Sequence, residues 1–154
     1  MSFRIEEKIP MTKYEAANFL VNLEKEGAKI LFPQRKIESI YFDTVNNKCF
    51  DDSEEGSLPR KKVRVRRYPN NDEIWSLETK ISSIEGRFKN TKKIDLTDLE
   101  NYLKKGIFDN HYGMLYQKFK VIYDRSYFIL DRIRITFDEN IKYIDIKPDE
   151  FTIN

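Results

Sequence analysis

Residues 61–68 read Lys-Lys-Val-Arg-Val-Arg-Arg-Tyr, and this alternation restricts the fold more than any other stretch of the chain. A strand of period two places Val63 and Val65 on one face and Lys62, Arg64 and Arg66 on the other. The valines need an apolar layer, and the row of cations needs an explanation. Residues 58–68 carry six Lys/Arg and no acid, although the whole chain is nearly balanced, with 28 Lys+Arg against 26 Asp+Glu. A net charge of +2 excludes a general polyanion-coating protein, so what matters is where the charge sits. The acidic run before this strand (Asp51, Asp52, Glu54, Glu55) reads as a solvated turn. Lys61 and Arg67, on the valine parity near the strand ends, are expected to face solvent and to be dispensable.

The rest of the chain supplies matching strands. FRIEEKI near the N-terminus alternates, and 37–45, 73–82, 87–94, 118–130 and 131–141 are rich in β-branched and aromatic residues. Asn, Asp, Gly and Pro fill the connections, which favours an antiparallel sheet. Two helices are expected. Thr12 and Glu15 have capping-box spacing ahead of Ala16, Phe19, Leu20 and Leu23, with Gly27 as the stop. Thr97 to Lys105 repeats the pattern with Glu100 and Gly106. The expectation is one α+β domain over 1–154, dominated by an antiparallel sheet or barrel.

Composition closes several routes. Cys49 is the sole cysteine and His111 the sole histidine, so neither an internal disulfide nor a Cys/His metal site can form. No apolar run has the length of a membrane span and MSFRIEEKIP has no signal-peptide core; a soluble, cytoplasmic protein is expected. Cys49 and Trp75 read as packing residues, and His111 as a solvated turn residue.

The strands share a two-sided character. Trp75, Leu77, Thr79 and Ile81 oppose Ser76, Glu78 and Lys80. Ile133, Ile135 and Phe137 oppose Arg132, Arg134, Thr136 and Asp138. Arg87 and Lys89 share a parity, and Arg125 sits between Tyr123 and Tyr127. Cross-strand neighbours lie about 5 Å apart, where like charges repel by roughly 3 kcal/mol at an effective dielectric near 20. Solvated faces relieve this by mixing signs; here cations recur with few acids. An anionic counterpart fits, held either in a nucleic-acid groove or in a closed barrel with a polar lumen. Single-strand stacking platforms would interleave exposed aromatics with the cations on one parity, which these strands do not do. The carboxylates Glu6, Glu78 and Asp138 share the cationic parity and could either hold a hard divalent ion or balance charge.

Taken in series, several motifs resemble the VTC domain, the catalytic domain of polyphosphate polymerases and a branch of the CYTH-like triphosphate tunnel metalloenzymes. They are Ser39-Ile40-Tyr41-Phe42-Asp43-Thr44, the run Glu55 to Tyr68, Leu77-Glu78-Thr79-Lys80, Gly86-Arg87-Phe88-Lys89, Tyr123 to Phe128, and Arg132 to Asp138. The resemblance implies an antiparallel β-barrel tunnel lined with basic residues. It implies that Lys8, Arg64, Arg66, Lys80, Arg125 and Arg134 carry the chemistry. Lys62, Arg87, Lys89 and Arg132 would add phosphate contacts, and Glu6, Glu78 and Asp138 would hold a divalent metal, manganese or magnesium. The implied ligands are ATP or another triphosphate and inorganic polyphosphate, with no nucleic acid. A terminal phosphate of the chain would attack the γ-phosphorus of ATP; a tunnel triphosphatase and a non-catalytic binding module are the alternatives. The first strand reads Arg4-x-Glu6-x-Lys8, where the CYTH branch carries Glu-x-Glu-x-Lys. The late strand and helix usual in the family would be reduced at most to a strand bearing Asp145 and Lys147.

Overall fold

The computed structural model describes residues 6–69 and 72–146. The alternating pattern of the cationic stretch is realised as a strand that sits in the middle of a sheet. In chain order the elements are α1 (Lys13–Lys25), β1 (Lys29–Asp43), α2 (Lys48–Glu54), β2 (Arg60–Tyr68), β3 (Asp72–Ser83), β4 (Gly86–Ile94), α3 (Leu96–Lys105), β5 (Ile107–Asp109), β6 (Gly113–Leu130) and β7 (Ile133–Asp145). The sheet runs β4-β3-β2-β1-β6-β5, with β7 paired to β6. The protein is α+β with a dominant, largely antiparallel sheet. The described pairings form an open path and do not close into a ring.

Two expectations change here. Residues 6–12 adopt no regular structure, and 6–10 are exposed, so the part of FRIEEKI that is described forms no strand. Its described portion offers one apolar side chain, Ile9, and is followed by Pro10, which has no N–H for a ladder. The acidic run, in turn, is not a solvated turn but belongs to a third helix, α2. The buried Asp43 carboxylate accepts from the backbone N–H of Cys49 (2.8 Å) and of Phe50 (3.0 Å), anchoring the helix start. Asp52 is buried as well, accepting from the Tyr112 hydroxyl at 2.8 Å and pairing with Lys48 at 2.7 Å. Asp43 lies six and seven residues ahead of the N–H groups it accepts from, outside the usual capping spacing, and Tyr112 is 60 positions from Asp52. Among the described residues, no helix is long and apolar enough to cross a membrane.

The chain divides into two compact units. One comprises the described part of Met1–Pro33 together with Ser126–Phe137; the other comprises Gln34–Arg125 and the described part of Asp138–Asn154. In the first, Thr12 and Glu15 make the expected reciprocal cap on α1, and Leu23 is buried with Ala16, Phe19 and Leu20 half-buried beside it. Gly27, at φ +82°, takes the left-handed position that follows the helix. Phe32 meets Tyr127 edge-on at 5.7 Å between ring centroids.

In the second unit the apolar parities of the strands converge. Ile40, Phe42, Val63, Val65, Trp75 and Ile94 form one core with Cys49, Leu99 and Leu115. Val65 is fully buried. Cys49 and Trp75 are therefore packing residues as expected, and His111 lies exposed in the β5–β6 turn. Lys61 and Arg67 share the valine face but are half-buried and paired with carboxylates instead of facing solvent freely. The Lys61 ammonium donates to both Asp109 oxygens (3.0 and 2.9 Å). Arg67 donates to the buried Glu38 at 2.6 Å, and its guanidinium lies 4.9 Å from the centroid of the Trp75 ring. The carboxylates they meet lie far away in sequence, which the strand pattern alone does not reveal.

Candidate functional site

The register of the second unit decides which polar side chains meet. On β1–β2, Ser39 faces Arg66 and Tyr41 faces Arg64. On β2–β3, Arg66 faces Ser76, Arg64 faces Glu78 and Lys62 faces Lys80. On β3–β4, Glu78 faces Thr91, Lys80 faces Lys89 and Ser82 faces Arg87. Directly opposed residues share a face, so Lys62, Arg64, Arg66, Lys80, Arg87 and Lys89 lie on the side of the sheet opposite the Val63–Val65 core. Among the described residues of β2–β4, Glu78 is the carboxylate on that face.

Neutral and anionic groups hold these cations unevenly. Arg64 donates from Nε (2.7 Å) and Nη2 (2.6 Å) to one oxygen of Glu78, and from Nη1 to the Tyr41 hydroxyl (2.8 Å). The Tyr41 ring is stacked on Phe119 with centroids 4.9 Å apart. Lys89 donates to the other Glu78 oxygen at 2.7 Å. Arg66, only 7% exposed, donates to the Ser39 hydroxyl at 2.9 Å and the Tyr123 hydroxyl at 3.4 Å. Its approach to Glu78 is 3.9 Å. Lys62, Lys80 and Arg87 are exposed and make no ion pair among the described residues.

The electrostatics follow from this crowding. Burial opposes ionisation of Glu78, but the Lys89 hydrogen bond and the Arg64 charge outweigh it and hold the carboxyl below its ordinary range. Burial likewise works against the Arg64 charge, and Tyr41 and Glu78 more than restore it. Burial raises the Tyr123 phenol against the opposing pull of the Arg66 and Arg125 guanidiniums.

Tyr123 connects the row to a second expected pair. Arg125 lies 5.2 Å from the centroid of its ring and grips Asp138 with two hydrogen bonds (2.5 and 2.6 Å). The remaining expected residues belong to the other unit. Glu6 and Lys8 are exposed on irregular chain, and Arg132 is exposed in the β6–β7 turn. The Arg134 guanidinium lies 5.8 and 5.9 Å from the ring centroids of Phe32 and Tyr127. Among the described residues, no three metal-ligating side chains come together. Glu78 and Asp138 already spend both oxygens on cations.

Ser39, Tyr41 and Tyr123 lie within the motifs quoted for the family, but the sequence assigns them no place in the site. Tyr123 shares its parity with Arg125, which could have singled it out. Ser39 and Tyr41 become site residues only through the β1–β2 register. Beside Tyr41 and Lys62 opens a cavity of about 140 Å³ whose other walls include Cys49, Phe50 and Phe119.

Comparison with known proteins gives this arrangement a context. Fourteen solved chains match it significantly in structure. One is a candidate adenylate cyclase from Bacillus halodurans, with TM-score 0.51 and 12% identity, covering 84% of this chain and 76% of that one. Another is a candidate adenylate cyclase from Vibrio parahaemolyticus, with TM-score 0.50 and 16% identity, covering 91% and 74%. At such identities the likeness is one of fold. A search of curated proteins by sequence finds no significant match. The VTC domain family matches residues 1–115 of the 154, and the chain belongs to that family.

Proposed function

We propose that the cationic face of β2–β4 binds a triphosphate or linear polyphosphate, and that the protein uses it to extend polyphosphate from ATP. The observation that carries this reading is Arg66. Its guanidinium is buried, its close hydrogen-bond acceptors are the neutral hydroxyls of Ser39 and Tyr123, and the carboxylate 3.9 Å away already serves Arg64 and Lys89. A buried charge needs a counter-charge, and among the described residues of β2–β4 the cations of this face share one carboxylate, which leaves that need unmet. Arginine forks match phosphate oxygens in pairs, while lysines supply point charge. Membership in the VTC family supports phosphate as the anion.

Phosphoryl transfer asks a protein mainly for in-line placement and for neutralisation of charge on the equatorial oxygens. Arg64 and Arg66 would grip the transferring group, with Lys62, Lys80, Arg87 and Lys89 aligning the flanking phosphates along the strands. Arg125, beside Tyr123, is assigned to the same lining. The terminal oxygen of the polyphosphate chain bonds to the γ-phosphorus of ATP as the β–γ bridging bond breaks, and ADP leaves.

The test is to incubate the purified protein with manganese and ATP, or with tripolyphosphate, and to measure long chains and free phosphate separately. Chain growth is the expected result. Phosphate release alone would make the protein a hydrolase, and thermal stabilisation by tripolyphosphate without either product would make it a binding module. Absence of any stabilisation that Arg64→Ala or Arg66→Ala abolishes would refute the phosphate site altogether.

A further inference from the structure

Glu78 occupies a place its chemistry does not at first explain, a buried anion at the centre of a face built to receive anions. It is 6% exposed and lies opposite Arg64 on one side and Thr91 on the other. One oxygen takes Arg64 side-on through Nε and Nη2, and the other takes Lys89. The far end of the Arg64 fork is tied to the Tyr41 hydroxyl, so the guanidinium plane is fixed at both ends.

We infer that Glu78 is a positioning residue that holds Arg64 and Lys89 in the arrangement that receives the anion, and that it is not a metal ligand. The inference rests on the anion-binding reading above. Of the five N–H donors of a guanidinium, three are spent on Glu78 and Tyr41, and two are left for a ligand. Lys89 keeps two of its three. Without the carboxylate, cations packed on one face would splay toward water, and ligand binding would have to order them again. With it, that ordering precedes binding, while the surplus of cations on the face keeps it attractive to anions. A hard divalent ion needs several oxygens with open lone pairs; here both oxygens are engaged, and no second metal-ligating pair stands beside them among the described residues.

The test exploits the sign of the effect. Glu78→Gln keeps the shape and adds one unit of positive charge to the site. If the carboxylate merely offset charge, tripolyphosphate would bind more tightly. As a positioning residue its loss weakens binding about tenfold, measured by calorimetry in EDTA at fixed ionic strength. Glu78→Asp, equal in charge but one methylene shorter, cannot reach both cations and also binds more weakly; it carries the test if the glutamine variant does not fold. Nitrogen-15 spectra of the arginine Nε–H groups supply a ligand-free readout, with a protected Arg64 signal in the wild type that is lost in Glu78→Gln. Equal or tighter binding by both variants would overturn the role. So would a wild type that binds only with manganese and a Glu78→Gln variant whose manganese affinity collapses. If the wild type itself bound no tripolyphosphate, the anion-binding reading would fall first, and with it this role.

Discussion

Consider Arg66→Met, which keeps an unbranched stem and deletes the guanidinium. Five contributions to stability change. Attraction to Glu78 at 3.9 Å, about 4 kcal/mol at an effective dielectric of 20, is lost. The hydrogen bond to Ser39 at 2.9 Å contributes about 1 kcal/mol net, and the 3.4 Å contact to Tyr123 contributes less. Against these, repulsion from Arg64, two residues and roughly 6.6 Å along the strand, is relieved by about 2.5 kcal/mol. The several kcal/mol spent on desolvating a buried ion are recovered as well. Losses and gains offset each other, and folding stability is expected to change by no more than about 2 kcal/mol in either direction. Anion binding has no such compensation. Two charge-assisted hydrogen bonds to a phosphate, each about 1.5–3 kcal/mol, correspond to at least a roughly 100-fold loss of affinity. Calorimetric titration with tripolyphosphate and urea unfolding read the two quantities separately. Weakening of less than about tenfold, or a stability loss beyond about 3 kcal/mol, would show that Arg66 serves the fold and not the ligand.

Three further outcomes are expected. Val65→Ala, on the opposite face of the same strand and fully buried, should cost about 2 kcal/mol in urea unfolding and leave tripolyphosphate affinity unchanged. Glu38→Gln should destabilise by about 1–3 kcal/mol at neutral pH, less than a sealed ion pair because Arg67 and Lys120 keep access to water. Burial of Glu38 is outweighed by Lys120 and Arg67, and its folded pKa lies below the ordinary 4.5. Its stabilisation is therefore present above 4.5 and lost as pH falls through the folded value, so variant and wild type should converge in acid unfolding series. Burial, reinforced by Asp43, pushes the Cys49 thiol up to about 12, so a maleimide at pH 8 should label it only after denaturation.

The division of β2 into a packing face and a cationic face was written in its alternation, because side chains of period two must take opposite sides whatever the strand pairs with. The same reasoning placed Trp75 in the core and Glu78 with the cations, and the Thr12–Glu15 box announced α1 through contacts three residues apart. Local chemistry of this kind is complete in the sequence. Tertiary structure alone decided who stands opposite whom. The β1–β2 register brought Ser39 and Tyr41 to Arg66 and Arg64. The β2–β3 register set Glu78 opposite Arg64, and the pairing of β4 with β3 brought Lys89 to its other oxygen. Lys61 became the partner of Asp109 across 48 positions, and an acidic run became a helix capped from Asp43. Charge identity is a property of the residue. Whether that charge is spent or still available depends on neighbours within about 4 Å, and only the folded chain supplies them.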